Sequence, residues 1–457
     1  MQLKKYFGPA NFYRYALSLS IPIIVQMFIQ NFVSLIDNFM VANLGNIKLS
    51  AVNTSNQMTF LFFVSITTIA IGGGIFMAQC NGSRDKEGMR QSYKFKVVVM
   101  ALVAILMFSI SYFFPDIVLK LLLQDNNDVD AIIIEGKTYL RLIAFTFIPI
   151  TLSSSISSSF RDIGKVKAPM YIAIASTLVN TFFNYCLIYG NFYFPRLEVA
   201  GAAYATIIAR VFELVAYYVY LKKVKPDFYT KLSQILSIDW KIFVKIFKCA
   251  IFVFIADMSW AVSETIAVGV YNGRGGSEVV AGMAAGWTIA NLFFLIFPTV
   301  SSCVSVIVGT TLGRNELDLA REQARWLRVG GFILGAFVSL LELASLGLIP
   351  LIYGKLSIPA QEIIKKLLMI VSIYMPLWTY QNAQYATARA GGDTVMSVWI
   401  DCTVNLLLFT PGMILLGAFT SFDAPSMYGL VKITSLVKAI LAGWVLRKER
   451  WLRKIVG

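Results

Sequence analysis

Asp37 stands in the segment NFVSLIDNFMVANLG, an acid within an apolar run that carries no other charge between Arg14 and Lys48. A carboxylate in hydrocarbon costs roughly 2.5–3.5 kcal/mol on insertion scales, so its presence points to ion or proton chemistry. On a helix ending near Gly45 it would lie about 10 Å from the outer end, at 1.5 Å per residue. The alternative is an interfacial acid near a helix terminus. Asn180 and Asn184, in LVNTFFNY, are four apart and share one helical face. Their amides could donate to a carboxylate or present carbonyl oxygens to a hard cation. Equally, they could join helices, at about 0.6 kcal/mol per contact. Thr206 adds a hydroxyl in GAAYATII, where Gly201, Ala202, Ala203 and Ala205 permit close helix approach.

A second group of ionisable residues follows later in the chain. Asp257 and Glu264, in FIADMSWAVSETIAV, are two helical turns apart and can face one direction, toward a cavity or a partner. Glu342, Asp401, Lys432 and Lys438 are single charges in apolar surroundings, and either lysine could neutralise Asp401. Glu213 and Arg210, three apart and opposite in sign, read as a local pair. Trp260, Trp287, Tyr374 and Trp378 could line an apolar substrate cavity, although such residues are more often core or interfacial anchors.

Other chemistry is excluded by what the chain lacks. It has no histidine, so proton transfer must run on Asp and Glu. Cys80, Cys186, Cys249, Cys303 and Cys402 are scattered without C-x-x-C spacing, which argues against disulfides and structural zinc. With no nucleophile elbow and no metal set, the reading is not an enzyme, and no organic cofactor is expected.

These residues need elements to hold them, and composition says where. Hydrophobic residues make up 57% of the 457 and charged ones 14%, against about 25% charged in soluble domains. Lipid is therefore the expected solvent. The net charge of +15 sits between apolar runs with no continuous basic face, so no nucleic-acid partner is expected. Runs of about 20 apolar residues, enough for one crossing, centre near Phe28, Ser65, Ala104, Ile148, Val179 and Arg210. A second set centres near Ala256, Leu295, Val338, Tyr374, Leu407 and Leu436. Lys4 and Lys5 before the first run mark a signal-anchor rather than a cleaved signal peptide.

The expected fold is therefore an all-α membrane protein of twelve transmembrane helices. Residues 1–222 would form an N-terminal six-helix bundle, 223–248 a cytoplasmic linker rich in lysine, and 249–457 a C-terminal six-helix bundle. Placing both termini in the cytoplasm puts more than three times as many Lys and Arg in inside segments as in outside loops. The loop holding Lys355, Lys365 and Lys366 fits least well, and the acidic loop with Asp125, Asp128 and Asp130 falls outside.

The two sets of spans echo one another. LGNIKLSAV at 44–52 aligns with RGGSEVVAG at 274–282. QCNGSRDKEGMRQ at 79–91 aligns with TLGRNELDLAREQ at 311–323, matching Gly82 and Arg90 to Gly313 and Arg321. FRDIGKVKAP at 160–169 aligns with ARAGGDTVMS at 388–397. An even number of spans per unit makes this a parallel repeat, an arrangement that implies a substrate cavity between the halves. No loop resembles a channel's selectivity filter. Pro22, Pro149, Pro298, Pro376 and Pro411 lie within spans and could kink them, and Gly72, Gly73 and Gly74 read as a flexible stretch.

The segments IPIIVQMFIQNFVSLIDNFMVANLG, FRDIGKVKAPMYIAIASTLVNTFFNYCLIYG and EVAGAAYATIIAR, in this order and spacing, resemble the multidrug and toxic compound extrusion (MATE) transporters. The resemblance runs from the first span to about residue 440. It implies two six-helix bundles, alternating access, and export of small molecules driven by inward flow of Na⁺ or H⁺. The family's cation site is similar to Asp37, Asn180, Asn184 and Thr206. Many members carry an acid where this chain has Asn184, which would leave one carboxylate and a Na⁺ or H⁺ at Asp37. Asp257 looks like the acid some members use on span seven. Span ten offers none, so coupling in the second half would fall to Asp257, Glu264 or Asp401.

The function expected is a cation-coupled antiporter in the inner cell membrane, acting as a monomer on small cationic or amphiphilic organic molecules. In that mechanism a cation binds Asp37 from outside and favours one bend of span one around Pro22. The nearest rival is a flippase of lipid-linked saccharide or cell-wall precursors. Its cavity should be cationic, to suit a pyrophosphate, whereas the deep charges here are mostly acidic.

Overall fold

The computed structural model describes residues 6–122, 129–354 and 356–456. Lys4, Lys5, Asp125, Asp128 and Lys355 lie outside them. The chain forms α1 (Ala10–Ala42), α2 (Asn46–Ser83), α3 (Lys86–Phe113), α4 (Pro115–Leu122), α5 (Val129–Ala144), α6 (Phe147–Asp162), α7 (Lys167–Tyr189) and α8 (Glu198–Val224). After a connecting segment come α9 (Trp240–Asn272), α10 (Ser277–Phe293), α11 (Ile296–Gly313), α12 (Leu317–Ser345) and the short α13 (Ile349–Ile352). Then follow α14 (Ile358–Ala390), α15 (Val395–Val404), a π-helical stretch Asn405–Phe409, α16 (Thr410–Phe419), α17 (Ala424–Val431) and α18 (Thr434–Arg447). No strand occurs among the described residues.

Ten helical segments among the described residues are long and apolar enough to cross a bilayer, or eleven when α5 and α6, bent by 44°, count as one. The 33-residue α9, which carries Asp257 and Glu264, is not among them. Leu102, Ile105, Leu106 and Phe113 stand exposed along α3. Water would penalise such a face and lipid does not. The chain is a multi-pass membrane protein.

Two compact units divide it. The N-terminal unit comprises Ile21–Met77 and Asp85–Phe247. In it α7 lies along α8, and α6 packs against α3 and α8. Small residues bring α7 and α8 together. Ala203 and Ala205 are fully buried, and a Cβ on Gly201 would run into the Leu187 carbonyl. The segment after α8 folds back onto this unit. Phe228 is fully buried against Tyr93 and Phe160, and the Lys94 ammonium donates to the Ser237 carbonyl at 2.8 Å.

The C-terminal unit comprises Met1–Ser20, Ala78–Arg84 and Lys248–Gly457. Its central element is α14, against which α10, α11, α12 and α18 pack. The end of α2 crosses α11 within this unit. A Cβ on Gly82 would collide with the Thr310 carbonyl, and one on Gly313 with the Gln79 carbonyl. The crossing is reciprocal, and only glycine allows both approaches.

The prolines divide into two kinds. Pro22 and Pro376 sit inside continuous helices. Pro149, Pro298 and Pro411 sit in the opening turns of α6, α11 and α16, just after a break or a π-helical stretch, where a missing N–H costs little. Gly72–Gly74 differ from their reading as a flexible stretch, because α2 runs through them unbroken. Gly73 and Gly74 instead make room for Lys96 and Asp162, whose side-chain atoms lie 2.7 and 2.8 Å from where a Cβ would stand.

Candidate ion and substrate site

In the N-terminal unit α1, α7 and α8 bring four polar side chains together. Asn184 Nδ2 donates to Asp37 Oδ1 at 2.8 Å and lies 3.4 Å from Asn180 Oδ1. Asn180 Nδ2 reaches Thr206 Oγ1 at 3.5 Å, and Thr206 in turn donates to the Ala202 carbonyl at 2.9 Å. The helices place them without strain. Asn180 and Asn184 are one turn apart on α7, and the small residues of α8 set Thr206 close beside them. The sequence-derived set of Asp37, Asn180, Asn184 and Thr206 therefore forms one connected network.

Two features give this network its chemical character. Asn184 Oδ1 is buried and accepts no hydrogen bond from the described residues, an arrangement that costs energy unless a further donor or a cation meets it. Asp37 has no Lys or Arg nitrogen within 4.0 Å among the described residues. The nearby Arg210 is already paired with Glu213 at 2.8 Å, as expected for that local pair. The site thus presents one carboxylate, two amide oxygens and a hydroxyl, a donor set suited to a hard monovalent cation or to a proton on Asp37. Tyr189 was not singled out from the sequence. Its hydroxyl donates to the Met40 carbonyl at 3.0 Å and accepts from Asn43 at 3.2 Å, tying the C-terminal end of α1 to the end of α7.

The acids of the C-terminal unit are arranged differently. Asp257 on α9 faces Arg389 on α14 at 3.5 Å. Glu264, also on α9, pairs with Lys432 after α17. Asp401 on α15 accepts from Lys438 at 2.8 Å and from the Tyr385 hydroxyl at 3.1 Å. Of the two lysines that could serve Asp401, Lys438 does so and Lys432 serves Glu264.

Aromatic rings surround the Glu264–Lys432 pair. The Lys432 ammonium lies 4.5 Å from the Phe409 ring centre, 4.8 Å from that of Tyr428 and 5.6 Å from that of Trp378. Trp378 stacks on Tyr374 at 5.5 Å, and Trp287 meets Tyr428 edge to face at 4.9 Å. Trp287, Tyr374 and Trp378 therefore belong to one cluster, in which ring faces hold a cation. Trp260 does not join it, since it is half-exposed on α9.

The burial of Lys96 was not foreseen from the sequence, where it counts as one more loop charge. It is fully buried on α3, forms an ion pair with Asp162 at the end of α6, and lies 3.3 and 3.4 Å from the hydroxyls of Ser158 and Ser159. The available signal was YKFKVVVM, where Lys96 opens directly onto an apolar run.

A family model described as MatE matches this chain twice, over residues 22–186 and 250–414. Among curated proteins, the chain is 23% identical over 439 residues to the "Uncharacterized transporter YisQ" of Bacillus subtilis (strain 168), covering 96% of this chain and 94% of that protein. It is 27% identical over 359 residues to the "Probable multidrug resistance protein YoeA" of the same organism, covering 74% of each. Among solved structures, its fold is similar to a multidrug resistance MATE family transporter of the MOP superfamily in an outward-facing conformation. That match has a TM-score of 0.85 and 17% identity, over 98% of this chain and 97% of the other.

Proposed function

This chain belongs to the MatE family, the multidrug and toxic compound extrusion transporters, and from that premise we propose that it is a cation-coupled antiporter. It exports small cationic or amphiphilic organic molecules by alternating access, with Na⁺ or H⁺ as the coupling ion and no other cofactor. The observation that carries the reading is the contrast between its acids. Asp257, Glu264 and Asp401 each have a basic partner, whereas among the described residues Asp37 has only the amide of Asn184. A membrane-embedded carboxylate so placed is neutralised by a cation or a proton that comes and goes. Asn184 Oδ1, Asn180 Oδ1 and Thr206 Oγ1 supply the further oxygens. A multidrug-resistance name among its relatives supports efflux as the class of transport, and nothing among them favours the flippase alternative.

The finer architecture in this reading is twelve spans in two bundles of six, with both termini in the cytoplasm of a cell (inner) membrane and a monomer as the working unit. The count of twelve takes the ten apolar segments, the bent α5–α6 pair as one more, and α9 as the last. Support for the parallel repeat comes from the double match of one family model and from Gly82 and Gly313, at aligned positions, meeting each other's helix reciprocally. The aromatic cluster around Lys432 supports a cationic or amphiphilic substrate, because ring faces that hold one ammonium suit others.

The test is export of ethidium from proteoliposomes under an imposed Na⁺ or H⁺ gradient, for wild type and Asp37→Asn. Gradient-driven export that the substitution abolishes is expected, and the effective gradient names the ion. Export unchanged in Asp37→Asn would remove Asp37 from coupling. An absence of export in wild type under both gradients would overturn the antiport reading for this class of substrate.

A further inference from the structure

Glu342 is the fully buried acid that the C-terminal unit leaves without a base among the described residues. It lies on α12, one turn before that helix ends at Ser345 and roughly ten residues before the end of the apolar segment Leu317–Ile352. It is fully buried, and neither carboxyl oxygen has a hydrogen-bond partner among the described residues.

The neighbouring groups are committed elsewhere. On α12 itself, the Ser345 hydroxyl donates to the backbone carbonyl of Glu342 at 2.6 Å, and the Ser339 hydroxyl donates across to the Ser372 carbonyl at 2.7 Å. On α14, the principal neighbour of α12, Lys365 pairs with Glu362 and Lys366 with Asp423. Further along α14, Arg389 pairs with Asp257, and the Tyr374 hydroxyl donates to the Gly429 carbonyl. The other helices packed on α12 add little. In α11 the sole titratable side chain is Cys303, whose thiol donates to the Ala16 carbonyl, and in α10 it is Glu278, in the first turn. None of these comes within hydrogen-bond or ion-pair distance of the Glu342 carboxyl.

An ionised carboxylate in such a place would face the full desolvation cost with no compensating partner, whereas a neutral acid loses only modest polar solvation. We propose that Glu342 is a proton-binding site of the C-terminal unit, holding its proton in the conformation described. It gives that proton up when the packing of α12 on α14 opens far enough to admit water. The protonation follows from the burial alone. Its release during transport rests on the exporter reading.

Infrared spectroscopy of the protein in lipid vesicles tests the first part. A wild-type minus Glu342→Gln difference spectrum at neutral pH is expected to contain the C=O band of a protonated carboxylic acid. A carboxylate band there instead would overturn the proposal. Should the Gln variant fail to assemble, wild type treated with dicyclohexylcarbodiimide serves in its place. That apolar reagent adds the O–H of a protonated acid across its C=N bond. Modification mapped to Glu342 supports the proposal, and an unmodified Glu342 overturns it.

Export over a range of pH tests the second part, with Asp37→Asn measured alongside. Glu342→Gln is expected to lower proton-driven export at least tenfold and to flatten its pH profile. If Glu342→Gln matches wild type in rate and profile while Asp37→Asn is inactive, the release step is wrong and the exporter reading stands. If wild type exports nothing, that reading fails, and the infrared band still decides the proton.

Discussion

Substitutions at Lys96 and Asp162 should differ in cost although they break the same ion pair. Lys96 is 0% exposed at its side chain and Asp162 18%, so the group left behind meets a different environment in each case. Asp162→Asn strands a fully buried ammonium whose remaining partners are the hydroxyls of Ser158 and Ser159. Breaking a buried pair in this way costs about 3–5 kcal/mol. Lys96→Met instead leaves a carboxylate that water reaches at the end of α6, and the expected cost falls to about 1–3 kcal/mol, that of a partly hydrated unsatisfied group. The double variant should recover part of the loss, with a coupling of about 1–3 kcal/mol, because replacing both charges removes the stranded one. Unfolding in mixed micelles titrated with dodecyl sulfate, followed by tryptophan fluorescence, reads all four proteins. Lys96→Met as costly as Asp162→Asn, or a double variant equal to the sum of the singles, would refute the reasoning.

Two further outcomes follow from the same packing logic. Gly74→Ala should lower stability by about 1–3 kcal/mol, since its Cβ would stand 2.8 Å from Asp162 Oδ1, and the same unfolding titration measures it. Glu264→Gln strands the Lys432 ammonium but leaves three ring faces around it. Its loss should fall at or below the low end of the roughly 3–5 kcal/mol range for a broken buried pair, and a thermal melt in lipid nanodiscs checks it.

The candidate ion site was legible because an apolar background makes polar residues conspicuous. Asp37 stands alone in its run, and the four-residue spacing of Asn180 and Asn184 fixes a shared face. The pairing of the later acids was legible only in part: Lys438 was one of two lysines offered for Asp401, and the partners of Asp257 and Glu264 were not foreseen. Glu264 and Lys432 are separated by 168 positions, Asp401 and Lys438 by 37, and no periodicity links helices that meet only after folding. Lys96 was missed for a different reason. It follows Arg90 and Lys94 closely in sequence, so it read as one more cytoplasmic charge, whereas in the fold it is buried against Gly73 of another helix, with Gly74 making room for its partner Asp162. Glycines next to one another can signal either flexibility or close approach, and only the neighbour that fills the space tells which. The same holds for tryptophan. Trp287 and Trp378 join the aromatic cluster and Trp260 does not, although the sequence around each is similarly apolar.

The paired acids of the C-terminal unit have an electrical consequence. A membrane potential does work on net charge displaced along the field, about 2.3 kcal/mol per elementary charge per 100 mV. Asp257 with Arg389, Glu264 with Lys432 and Asp401 with Lys438 are each neutral as a pair, so carrying them across part of the bilayer would cost the field almost nothing. Asp37 has no such counter-charge among the described residues, so in the proposed mechanism its net charge would change whenever a cation arrives or leaves. On the exporter reading, any voltage dependence of this protein should therefore track the occupancy of Asp37, and of the two buried acids in the C-terminal unit, Asp401 and Glu342, only Glu342 should add to it, since no base stands beside it among the described residues.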